Sequence, residues 1–129
     1  MQALQGRYTQ QGVVWLSINS SAPSKEGHIT PEQADEWARQ QGARSTAVLL
    51  DSEGTVARLY DARTTPHMFV IDPSGTLIYN GAIDNKPSTD PSDVPAATNY
   101  VAQALDEAAA GKPVSAPTTQ PYGCSVKYR

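Results

Sequence analysis

A single cysteine, Cys124, stands in 129 residues, so no intramolecular disulfide is available, and a thiolate zinc site, which takes about four ligands, cannot be built on it. Any redox cycle through that sulfur needs a second thiol from elsewhere. Basic residues are few as well: 10 Lys and Arg, scattered singly against 13 Asp and Glu, leave a net charge of -3 and no stripe that would neutralise phosphates. No nucleic-acid partner is expected. Apolar runs end after about four residues, as in Ala47-Val48-Leu49-Leu50, far short of the roughly 20 that cross a bilayer, so the expectation is a soluble chain with no membrane partner.

Further absences narrow the chemistry. The two histidines, His28 and His67, lie far apart, and no His-x-x-x-His or Cys-x-x-Cys spacing accompanies them, so no metal site is expected and both read as surface or loop residues. No Gly-x-Ser-x-Gly elbow presents a hydrolase nucleophile. No Gly-x-Gly-x-x-Gly and no phosphate-cradling loop is present either, and no cofactor is expected. The first residues lack a basic segment followed by an apolar one, so no secretory signal is read; a leader could lie upstream, which leaves compartment open, as is oligomeric state.

What is present fits one modest core. Met1 to Gln11 sets Leu4, Tyr8 and Met1 on one helical stripe, stopped by Gly12. Val13 to Asn19 is β-branched, aromatic and apolar on both faces at its start, which suits a buried parallel strand. Thr30-Pro31-Glu32-Gln33 puts Thr at the N-cap, Pro at N1 and Gln at N3, a capping box that opens a helix ending at Gly42. Trp15, in the strand, and Trp37, on that helix's apolar stripe, are expected to pack in the core.

A second short strand, Ala47 to Asp51, and a brief helix, Thr55 to Tyr60, follow, which implies a parallel crossover. Two strands, His67 to Asp72 and Thr76 to Ile83, flank Pro73-Ser74-Gly75 and predict an antiparallel hairpin. Asp84 to Ala97 carries three prolines and three aspartates and reads as a long surface loop. Asp84, Asp90 and Asp93 do not fit a twelve-residue calcium loop, which also ends in a bidentate Glu. Tyr100, Val101, Ala104, Leu105 and Ala108 trace a helix ending at Gly111, and Lys112 to Arg129 is Pro, Thr and Ser rich without period.

This order, and above all Thr64-Thr65-Pro66-His67-Met68-Phe69-Val70-Ile71-Asp72-Pro73-Ser74-Gly75, resembles the peroxiredoxin and redoxin (AhpC/TSA) branch of the thioredoxin superfamily. The resemblance implies an α/β thioredoxin-like fold with a mixed sheet and flanking helices. Residues 1–111 would form that domain, with the long loop at 84–97, and 112–129 a tail carrying Cys124. It also implies that Pro66 is the family's cis-proline and that Thr65, just before it, offers backbone groups beside the reactive cysteine. Without the family, a Thr-Pro ahead of a strand is by default an ordinary trans connection, since proline lacks a donor for the ladder.

In the family, two strands and the start of the first helix, with the catalytic cysteine at that helix's N-terminus, precede the part that matches Met1 to Gln11. No cysteine of this sequence occupies that place. A helix start lowers a thiol's pKa and gives the nucleophilic thiolate. The expectation is therefore an N-terminally truncated domain, inactive alone and unstable or rearranged, of a thiol-disulfide or peroxide-reducing family whose partners are a thiol reductant or a protein disulfide. Cys124 is then either a resolving thiol on a Pro- and Gly-flanked tail or an inert one. The other class is a non-catalytic module that holds an extended peptide or a protein by strand addition at Thr65 and Pro66.

Overall fold

The computed structural model describes residues 1–87 and 97–129. They fall into two compact units, residues 1–62 with 126–129, and residues 63–125. Among the described residues no helix is long and apolar enough to cross a membrane.

The first unit opens with α1 (Gln2–Thr9), followed by β1 (Leu16–Asn19), α2 (Pro31–Gln40), β2 (Ala47–Leu50) and α3 (Thr55–Leu59). β1 and β2 run parallel, with Leu16 opposite Ala47 and Ile18 opposite Leu49. α1 buries Tyr8, as its stripe predicts, but Met1 is exposed and the residue beside Tyr8 in the interior is Gln5. An apolar stripe alone misses Gln5 because its Oε1 accepts the Arg44 N–H at 2.9 Å, which makes burial of a polar amide tolerable.

The capping box is formed in full: Gln33 N–H donates to Thr30 Oγ1 at 3.2 Å, and Thr30 N–H donates to Gln33 Oε1 at 2.9 Å. Such a cap contributes about 1 kcal/mol. Of the two tryptophans, Trp15 is in the core and Trp37 is not, being 56% exposed. α2 buries the small Ala34, and the indole of Trp37 stays exposed although it lies three residues on along the same helix. Asp51 closes the turn into α3, accepting from Val56 N–H, Ala57 N–H and the Ser20 hydroxyl. Partial desolvation pushes its carboxyl up, but these donors together with Thr55 N–H hold it below the usual 3.8. Tyr128 completes this unit: its hydroxyl donates to Ala62 O at 2.7 Å, and the Arg58 guanidinium lies 4.6 Å from its ring centre.

The second unit holds β3 (Thr64–Thr65), β4 (Met68–Ile71), β5 (Leu77–Gly81), α4 (Tyr100–Ala109) and β6 (Cys124–Ser125). β4 and β5 form the predicted antiparallel hairpin, with Phe69 opposite Asn80 and Val70 opposite Tyr79. Asp72 builds its turn, accepting from the Ser74 hydroxyl at 2.6 Å and from the N–H groups of Thr76 and Ser74, so its carboxyl also sits below the usual value. Asn99 caps α4 through Ala102 N–H, and Val101 and Ala104 are buried on the helix, which packs on β4 and β5. Among the described residues the strands form three two-stranded sheets, β1 with β2, β3 with β6 and β4 with β5. Asp90 and Asp93 of the acidic loop lie outside the described residues.

Candidate functional site

The chain turns sharply at Arg63 to His67. The Thr65–Pro66 peptide bond is cis. The Thr64 hydroxyl spans the turn and donates to Pro66 O at 2.8 Å. Arg63 N–H donates to His67 Nδ1 at 3.1 Å, and the other ring nitrogen, Nε2, lies 2.6 Å from Asn80 Oδ1. An imidazole nitrogen that accepts carries no proton, so this arrangement is the neutral tautomer with its hydrogen on Nε2, donating to Asn80. The ring also stacks on Phe69, 4.5 Å between centroids and 15° between planes.

Cys124 arrives at this corner from the C-terminal segment. β6 runs antiparallel to β3, with Thr65 opposite Cys124 and Thr64 opposite Ser125. Gly123 makes that approach possible. At its φ of +127°, a Cβ would stand 2.3 Å from Thr65 O, so no side chain fits between the two backbones. Cys124 is exposed and in no disulfide, and Thr65 and Pro66 are exposed too. The three residues singled out in the sequence are thus brought together at one surface, next to a histidine that had read as an ordinary loop residue.

The segment that carries Cys124 is fastened to β5. Asn80 N–H donates to Pro117 O at 3.0 Å and Thr119 N–H donates to Asn80 O at 3.1 Å. In an antiparallel pair, alternate residues turn their N–H and C=O outward, and Asn80 spends its outward pair on this segment. Gly81, at φ +155°, lies flat beneath Thr119: a Cβ there would be 2.2 Å from Thr119 Oγ1 and 2.5 Å from its carbonyl oxygen. Ala82 N–H donates to Thr119 Oγ1 at 2.9 Å, the Tyr79 hydroxyl donates to Ala82 O, and the Thr119 hydroxyl donates to Tyr79 Oη at 2.6 Å. Burial, opposed by that Thr119 bond and helped by Tyr100, raises the Tyr79 phenol.

Tyr122 fixes the last stretch before Gly123, its hydroxyl donating to Asp84 Oδ1. Desolvation first, then the bond to Asp84 and its negative charge, push the phenol up to about 12. A hollow of about 270 Å³ opens among Asp84, Tyr100, Thr119 and Tyr122, and Cys124 does not line it. Among the described residues no group of three or more His, Cys, Asp and Glu could hold a metal ion.

What the sequence reading missed was adjacency. Nothing periodic marks a two-residue strand, and the only signal was glycine: Gly81 at a strand end and Gly123 beside the cysteine are where backbones meet closely.

Comparison with known proteins adds identity to this geometry. Residues 1–80 match the AhpC/TSA family. A crystal structure of a hypothetical protein from Sinorhizobium meliloti superposes with a TM-score of 0.85 at 27% identity, over 99% of this chain and 68% of that one. An uncharacterized conserved protein from Geobacillus kaustophilus gives 0.81 at 26% identity, over 99% of this chain and 66% of that one. Among curated proteins nothing matches. The fold is mixed α/β and thioredoxin-like. With the match spanning most of the first helix through the hairpin, the chain belongs to the AhpC/TSA family, a redoxin family of thiol-dependent oxidoreductases.

Proposed function

We propose that this chain takes part in thiol-disulfide exchange through Cys124 at the corner made by Thr65 and Pro66, with a thiol, disulfide or sulfenic acid of a partner molecule as its substrate. One observation carries the reading: the only sulfur of the cysteine type stands directly across a strand pair from the residue that precedes the cis-proline. The Cys124 thiolate attacks a partner disulfide R–S–S–R′; a new S–S bond forms, the old one breaks, and R′–S⁻ leaves with the electron pair. Cys124 is thereby oxidised and R′ reduced. A second thiolate from a reductant then attacks the mixed disulfide and restores Cys124. With a partner sulfenic acid formed from peroxide, the same thiolate displaces hydroxide, which leaves as water after protonation. In that form the chain resolves a peroxide-derived oxidation, an antioxidant step that needs the partner's sulfur as well as its own.

Being fixed in an extended strand with its side chain in solvent, Cys124 is pre-organised for attack, as a free tail cysteine is not. The test is the rate at which Cys124 forms a mixed disulfide with oxidised glutathione, followed by mass spectrometry, in the 129-residue chain and in a peptide of residues 121–127. We expect the chain to react about tenfold faster, or about 1.4 kcal/mol in barrier, and Cys124→Ser to form no adduct. Equal rates for chain and peptide would mean an inert surface thiol.

A further inference from the structure

We infer that His67 is a positioning residue for this corner: held as its Nε2–H tautomer by Asn80, it uses Nδ1 to pin the Arg63 amide and so sets the turn from which β3 presents Thr65 to Cys124. This rests on the thiol-exchange reading above. The geometry is specific to one tautomer. Arg63 N–H points at Nδ1 from 3.1 Å, and an N–H cannot donate to a protonated nitrogen, so the imidazole can hold the amide only while Nδ1 is bare. Asn80 Oδ1, 2.6 Å from Nε2, accepts and thereby keeps the proton on that side. Phe69, stacked on the ring face, limits its rotation.

Asn80 in turn is bound on both backbone sides by the segment that delivers Cys124, through Pro117 O and Thr119 N–H. His67 therefore touches both halves of the corner. Through Nδ1 it fixes the chain entering β3, and through Nε2 it reaches the residue to which the cysteine-bearing segment is tied. The role assigned to the ring is to hold the strand opposite Cys124 in register.

Two substitutions separate the two nitrogens. In His67→Asn the side-chain oxygen falls near the place of Nδ1 and can still accept from Arg63 N–H, while the reach to Asn80 is lost. In His67→Gln the terminal amide falls near the place of Nε2 and can still donate to Asn80, while the acceptor for Arg63 is lost. Nitrogen-15 spectra of the neutral imidazole in the full chain should show its hydrogen on Nε2, and a neutral form with the hydrogen on Nδ1 would overturn the assignment. Hydrogen exchange at the Arg63 amide should stay slow in His67→Asn and speed up about three- to tenfold in His67→Gln, the range expected for one lost hydrogen bond. The rate of mixed-disulfide formation at Cys124 should fall toward the peptide's value in His67→Gln and hold in His67→Asn. Equal Arg63 protection in the two variants overturns the role of Nδ1, whatever the thiol does. A wild-type Cys124 no faster than its peptide overturns the exchange reading, and with it the functional half of this inference, while leaving the amide result readable by itself. If the amide responds as described and a fast Cys124 does not, His67 is a purely structural residue and the inference is wrong.

Discussion

In the unit built on β1 and β2, Leu16, Ile18 and Leu49 stand 49%, 44% and 43% exposed on their strands, whereas in the unit built on β4 and β5, Val70 and Tyr79 are 8% and 1% exposed. Both sheets have two strands and similar apolar content, so β-propensity does not separate them. The difference is how far cover extends, since Ile71 and Leu77 of β4 and β5 are themselves 48% and 45% exposed while Val70 and Tyr79 are enclosed. β4 and β5 have α4 on one face, with Val101 and Ala104 buried, and the Pro117 to Thr119 stretch bonded along the outward edge of β5. Among the described elements, α2 packs on β2, and Ile18 faces Leu49 across the ladder with both about two-fifths exposed. A two-stranded pair is marginal by itself, and its stability follows from what packs on it.

The strongest way to break the contrast is to lift the C-terminal segment off β5. Gly81→Val places a branched side chain where Thr119 backbone atoms lie 2.5 and 2.8 Å from the Cβ position, at a φ that valine strongly disfavours. We expect about 3 kcal/mol or more of destabilisation by denaturant melting, together with Cys124 exchange at the free-peptide rate. A variant as stable as the parent would mean that the fastening along β5 contributes nothing. Val70→Ala acts inside the covered sheet and should cost about 2 kcal/mol, the transfer and cavity terms of a buried valine.

Acid and alkali act on the two units through different groups. Asp51, in the first unit, has its folded pKa below the usual 3.8, so the stability it supplies is fully present above that value and is lost as pH falls through the folded pKa. Tyr122, in the second, has its phenol raised to about 12, so its contribution is complete below 10 and is lost as pH rises toward 12. Melting across pH should therefore show an acid decline softened in Asp51→Asn and an alkaline decline softened in Tyr122→Phe. Asp72 adds to the acid side through the hairpin turn, by the same sign. If Tyr122→Phe left the alkaline limb unchanged, its bond to Asp84 would have no part in holding the segment.

Local chemistry was legible wherever it was written in neighbouring residues. The Thr30 to Gln33 box, the Asp72 to Gly75 turn and the Tyr100 to Ala108 stripe each specify their element within one turn of chain, and each forms where those residues sit. Burial was less legible, because a short apolar run such as Val13 to Ile18 reads alike whether or not another element covers it; Val14 in the event is well exposed. The pairing of Cys124 with Thr65 was not legible at all. It depends on backbone hydrogen bonds and on two glycines that let chains approach, and neither leaves a period in the sequence.

The smallest effect is the sharpest test of why the units differ. Threonine keeps a strand's branched shape while removing apolar surface, so Ile18→Thr and Leu49→Thr alter the uncovered face of β1 and β2 without opposing the ladder. Exposed as those side chains are, each change should move stability by no more than about 0.5 kcal/mol. Contiguous apolar surface promotes association, so sedimentation of the double variant should show less self-association than the parent at equal concentration. A loss of about 2 kcal/mol instead would show that Ile18 and Leu49 are enclosed in solution as Val70 is, and the contrast between a covered and an uncovered sheet would then disappear.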